Sequence, residues 1–148
     1  MRTYGREDLH IVSDPIATLR KLYAAERPSG QYLSARLLHD LVFLGALPVR
    51  ADRIDSWWLV GSQQDWLRSS DGVISKRPFH AIVAFPAAGP NTHRAEAMLT
   101  AFADAVVTCG ADGLEWIVRG KAHEDPPAVW LSESREYQGR FVAFKVCS

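Results

Sequence analysis

Cysteine is scarce in this chain of 148 residues, with only Cys109 and Cys147 present. Two thiols so placed do not make the disulfide framework of a small secreted scaffold, and they read as free thiols in a reducing compartment. Net charge is also missing: seventeen basic residues balance seventeen acidic ones. No global field therefore gathers nucleic acid or an anionic membrane, and Arg50, Arg53, Arg68, Arg77 and Arg94 are scattered rather than clustered. Nucleic acid is accordingly not an expected partner. No apolar run approaches the ~20 residues needed to cross a bilayer. The charged start MRTYGREDLH lacks the apolar stretch and small-residue cleavage site of a signal peptide. A cytoplasmic location without membrane attachment is the expectation.

Motifs for chemistry are lacking too. Gly110-Ala111-Asp112-Gly113 has neither the third glycine nor the Lys-Ser/Thr of a nucleotide-binding loop, and it reads as the C-terminal cap of a helix. None of the five histidines stands in an HExxH arrangement or beside a cysteine pair. His39 and Asp40 adjoin on a predicted helix, so they diverge, and they read as solvated positions. Cys109 has no sequence-marked activating partner. No catalytic residue, metal site or cofactor is expected.

What is present suits a single globular domain spanning residues 1–148, with 47% hydrophobic and 23% charged residues. Leu9 to Val12 reads as a short strand. Asp14 and Pro15 then open a helix with an apolar stripe of Ile16, Leu19, Leu22 and Tyr23, which ends at Arg27-Pro28-Ser29-Gly30. Ser34 is the expected cap of a second helix whose Leu37, Leu38, Leu41, Val42 and Leu44 form a core face, closed by Gly45 and barred from continuing by Pro48. Ser56 to Val60 reads as a strand, Ser70-Asp71-Gly72 as a turn, and Phe79 to Phe85 as a buried strand. Asn91 or Thr92 caps a third helix, which carries Ala95, Met98, Leu99, Phe102, Ala105 and Val106 on one side and closes at Gly110. Leu114 to Arg119, Ala128 to Ser132 and Arg140 to Val146 complete the strands. The expected fold is α+β: a single mixed, mostly antiparallel sheet packed by about three helices, with a parallel pair if Phe79 to Phe85 and Leu114 to Arg119 flank a crossover.

The tryptophans carry the most information. Trp57, Trp58, Trp66, Trp116 and Trp130 all fall in or beside strand candidates. Successive strand residues face opposite ways, so Trp57 and Trp58 cannot enter one core layer. Either a second layer covers one of them, or one is an exposed anchor for a partner, with Arg50, Asp52, Arg53 and Asp55 as its polar rim. The loop Lys121 to Pro127 concentrates charge at His123, Glu124 and Asp125, where a partner would be gripped or, less specifically, acid-base chemistry housed. The expected partner-binding residues are therefore Trp57, Trp58, Arg53, Asp55, Trp66, His123, Glu124 and Asp125. A small enzyme or ligand-binding domain, with a cleft around His80, His123 and Glu124, is the alternative.

With its aromatic strand segment WWLVGSQQDWL, Trp57 to Leu67, and its single α+β domain, the chain resembles immunity proteins of bacterial toxin systems. That resemblance implies a cytosolic inhibitor that binds and blocks a cognate toxin domain, and it carries over no individual residue. The balanced charge departs from the acidic, nucleic-acid-mimicking members of that class. Homodimerisation is compatible with the same reading.

Overall fold

A computed structural model describes residues 15–81, 94–119, 125–133 and 139–146. In chain order these form α1 (Pro15–Leu22), α2 (Gly30–Phe43), β1 (Pro48–Ile54), β2 (Trp57–Ser62), α3 (Arg77–His80), α4 (Ala95–Phe102), β3 (Ala105–Gly110), β4 (Gly113–Val118), α5 (Ala128–Glu133) and β5 (Arg140–Lys145). The class is α+β. The five strands make one sheet in the order β1-β2-β5-β3-β4, and every neighbouring pair is antiparallel. The expected parallel pair is absent among these strands.

Helix α2 begins four residues before the expected cap. Ser29 Oγ accepts the Tyr32 N–H at 3.1 Å, and Ser34 lies buried inside the helix instead. At the other end the Gly45 N–H reaches the Val42 carbonyl and the Ala46 N–H the Leu41 carbonyl, with Gly45 at φ 72°. This double closure needs a left-handed residue, as the glycine predicted. Helix α4 takes its first N–H cap from another helix: Asp40 Oδ2 on α2 accepts the Ala95 N–H at 2.9 Å. Two arginines finish its other end, Arg20 donating to the Ala101 carbonyl and Arg27 to the Phe102 carbonyl.

Helices α1, α2, α3 and α4 cover one face of the sheet. Leu19, Leu33, Leu37, Leu41, Phe79, Met98, Leu99 and Phe102 pack there on Val60, Val106, Val142 and Phe144. On the opposite face Trp57, Leu59, Ala105, Cys109, Phe141 and Ala143 are covered by Trp130 of α5. A six-residue helix has no stability of its own, so α5 is held by burying its single tryptophan.

Four expectations are corrected. Phe79 and His80 lie in the short helix α3, not in a strand; Phe79 is buried, His80 is exposed, and residues 82–90 lie outside the described set. The third helix stops at Phe102, because Ala105 to Cys109 carries β-branched residues that pair with β5. Gly110 therefore ends a strand rather than capping a helix, and Cys109 sits in that strand. Ala128 to Ser132 is helical despite its Val-Trp pair, with Pro126 and Pro127 just ahead of it. The strand at Leu9 to Val12, the caps at Asp14 and at Asn91 or Thr92, and Cys147 lie outside the described residues.

Candidate functional site

Helix α2 sits over β1 and β2, at one edge of the sheet. Its Leu33, Leu37 and Leu41 are buried, whereas the apolar sequence continues past the point where one stripe can hold it. Leu41-Val42-Phe43-Leu44 is four apolar residues in succession, which no 3.6-residue period turns wholly inward. Val42, Phe43 and Leu44 are 67%, 55% and 41% exposed. After the Gly45 turn the chain passes through Leu47, itself at φ 54° and 53% exposed, and enters β1 at Pro48-Val49, where Val49 is also half exposed. Five large apolar side chains within eight residues of sequence are thus exposed, a stretch here termed the rim. Scattered exposed leucines are ordinary, but a run of exposed apolar residues this dense in sequence suits an interaction surface. Covering each half-exposed side chain is worth on the order of 1 kcal/mol. The expectation that Val42 and Leu44 join the core is corrected by these exposures.

Beside the rim, β1 runs along the outer edge of the sheet and alternates Arg50, Asp52, Arg53 and Asp55. Arg50 donates to Asp52 Oδ2 from Nε at 2.8 Å. Arg53 lies 4.6 Å from the Trp58 ring centroid and donates from Nε to the Asp55 carbonyl at 3.2 Å. Asp55 is exposed at the hairpin turn, with φ 54°.

The two adjacent tryptophans divide between the layers. Trp57 is 3% exposed beneath α5 and meets Trp116 edge-on at 6.5 Å. Trp58 enters the larger core, stacks 6.4 Å from Phe144, and is capped by Arg53. A second packed layer therefore accounts for the pair, and neither ring stands free at the surface. Trp66 is half-buried and donates from Nε1 to Glu96 Oε2 at 3.2 Å. Asp125 is exposed ahead of α5, whereas His123 and Glu124 lie outside the described residues. Of the eight expected partner-binding residues, Arg53, Asp55, Trp57 and Trp58 come together on one hairpin, and Trp66 belongs to a separate polar cluster. A groove of about 390 Å³ at the α1–α2 connection is lined by Tyr23, Glu26, Arg27, Pro28, Ser29 and Tyr32. The histidines of the expected cleft are not among these residues.

Two buried polar clusters escaped the sequence reading. Arg140, with no exposed side-chain surface, donates to Asp65 Oδ1 and Oδ2 at 2.7 and 3.0 Å, to Asp112 Oδ1 at 2.7 Å, and to Thr108 Oγ1 at 2.8 Å. Burial raises the Asp112 pKa, but hydrogen bonds from Lys76 and Arg140 outweigh it and hold the carboxyl below its ordinary value. The cluster ties the loop after β2 to the β3–β4 turn. The second cluster joins Asp40 to Glu96, both essentially buried. Asp40 was expected in solvent; instead its Oδ2 caps α4, and among the described residues its Oδ1 has His39 Nδ1 at 3.6 Å and Arg36 at 4.0 Å as its nearest cations. Burial pushes the Glu96 pKa up and the Asp40 charge adds to this, against the lowering effect of Arg94.

Among the described residues no group of three or more His, Cys, Asp or Glu is placed to hold a metal ion, and no helix is long and apolar enough to cross a membrane. No family model, curated protein or solved structure matches the chain.

Proposed function

We propose that the chain is a protein-binding domain that engages its partner through the α2–β1 rim, and that this partner is a toxin domain which the chain blocks in the cytoplasm. The observation carrying the reading is the exposed group Val42, Phe43, Leu44, Leu47 and Val49. These side chains lie next to the mixed charges of β1, giving the apolar centre and polar margin of a specific interface. The toxin as partner follows from the resemblance of Trp57 to Leu67 to immunity proteins, a segment that supports the rim by anchoring β2 in both layers.

The test is co-expression with the toxin-like chain encoded by an adjacent reading frame. A stoichiometric complex is expected, and toxicity should be suppressed. Phe43→Asp or Leu47→Asp should weaken binding by at least ~2 kcal/mol, about 30-fold, with the circular dichroism spectrum unchanged. Val73→Asp, at a site 58% exposed in a different loop, should leave binding intact. The proposal fails if no such complex forms or if the rim variants bind as tightly as the parent.

A further inference from the structure

We propose that β1 also pairs, antiparallel and in register about Ala51, with β1 of a second copy, joining two five-stranded sheets into one of ten strands. The inference concerns the strand's outer edge and goes beyond the rim reading. Strand β1 has β2 on one side and no neighbour on the other among the described strands. Its hairpin turn has two residues, Asp55 and Ser56, which makes Ile54 and Trp57 the hydrogen-bonded closing pair. Alternation then directs the backbone groups of Ile54, Asp52 and Arg50 toward β2. Those of Arg53 and Ala51 point away from the sheet, as an added strand requires.

The side chains specify which strand can be added. In a two-fold pairing centred on Ala51, Ala51 meets its own copy, Arg50 meets Asp52 of the other chain, and Asp52 meets Arg50. Arg50 and Asp52 share one face of the sheet, opposite Gly61 and Leu59 of β2. Within each chain they are already ion-paired, Arg50 to Asp52 at 2.5 Å. Pairing would close four charges into a ring of alternating sign, favourable on cross-strand terms. Ala51, the smallest side chain of the strand, lies on the symmetry axis where the backbones approach. On the other face Arg53 falls opposite Val49. Pro48, the irregular register between Pro48 and Arg50, and the charges themselves discourage indiscriminate strand addition. The pattern therefore favours a strand that places acid against base at both positions, and the chain's own β1 is such a strand.

The test uses the full chain in analytical ultracentrifugation. The parent should sediment as a dimer at micromolar concentration. Arg50→Asp sets Asp against Asp, and Asp52→Arg sets Arg against Arg; each should weaken self-association at least ~10-fold. Mixing the two variants restores every opposite pair and should produce a one-to-one heterodimer. Ala51→Cys should form a dimer-sized, reducible cross-link on oxidation, whereas Asp52→Cys should not, since residue 52 does not face its own copy. A monomeric parent, single variants that remain dimeric, or a mixture that stays monomeric overturns the proposal. A cysteine result in the opposite sense does the same, and it needs neither charge variant to fold. A monomer that still captures the toxin chain through the rim removes the pairing and leaves the rim reading standing; a dimer whose rim binds nothing does the reverse.

Discussion

Replacing Arg140 by methionine should cost about 3–5 kcal/mol of folding stability, the range for removing one partner from a buried ion pair. The guanidinium makes four short hydrogen bonds, three to carboxylates and one to Thr108. At ~1.5–3 kcal/mol for each bond to a charged group, simple addition would give a figure far too large. The bonds share one charge, and Asp112 keeps Lys76 and a side chain 21% exposed, so solvent compensates it in part. Asp65 decides the cost. Its side chain is 5% exposed, and without Arg140 its remaining side-chain bond among the described residues is from the Leu67 N–H at 3.0 Å. For a chain of this size such a loss should lower Tm by roughly 6–20 °C. Urea titration of Arg140→Met, Asp65→Leu and the double variant measures it. The double variant should recover more than half of the single loss, because it removes the stranded charge. The pairing also has a pH signature. Asp112 titrates below its unfolded value of 3.8, so its contribution is present above that value and is lost as pH falls through the folded pKa. Arg140→Met should reduce this acid-side slope. A single-variant loss under ~1 kcal/mol, or strict additivity in the double variant, would refute the reasoning.

Glu96 should behave with the opposite sign. Its folded pKa lies above the ordinary 4.5, so the folded state holds the proton longer, and stability falls as pH rises from about 4.5 through the folded value. Glu96→Gln keeps an acceptor for Trp66 and should flatten that fall; urea midpoints that follow the parent's pH profile would count against it. Trp130 should be costly to lose as a volume and cheap to lose as a donor. Trp130→Ala should cost about 3–5 kcal/mol, but Trp130→Phe ~1 kcal/mol or less, since the indole N–H is buried without a partner. Chemical denaturation of the two variants separates these terms, and equal losses would contradict the assignment.

The strands Trp57 to Val60, Leu114 to Val118 and Arg140 to Lys145 were legible because β-branched and aromatic residues dominate them. Strand β1 was not, since PVRADRI is an edge strand, half-exposed and polar, and alternates too weakly to stand out. The run from Ala95 to Val106 kept helical spacing through Ala103-Asp104-Ala105, where no glycine or proline marks the end. The decisive signal was Val106-Val107-Thr108, three β-branched residues that favour pairing with β5 over another helical turn. At the site, the apolar run Leu41 to Leu44 reads as part of a core face, although four successive apolar residues are too wide for one buried stripe. The place of Arg140 was not readable, because Asp65 and Asp112 reach it only through pairings that span 75 and 28 residues.

The strand order carries a consequence for how the chain acquires its fold. β1–β2 and β3–β4 are hairpins of local sequence, yet no backbone ladder joins one to the other; β5 lies between them and pairs with both. During synthesis from the N-terminus, the two hairpins cannot be joined into one sheet until residues 140–145 emerge. The edges that await β5 are Trp57 to Ser62 on one and Ala105 to Cys109 on the other, and either is open to wrong pairing until then. The closing step joins residues as distant as Ser62 and Arg140 and should be the slow one. Any chaperone or misfolding event that captures the nascent chain has its opening in that interval.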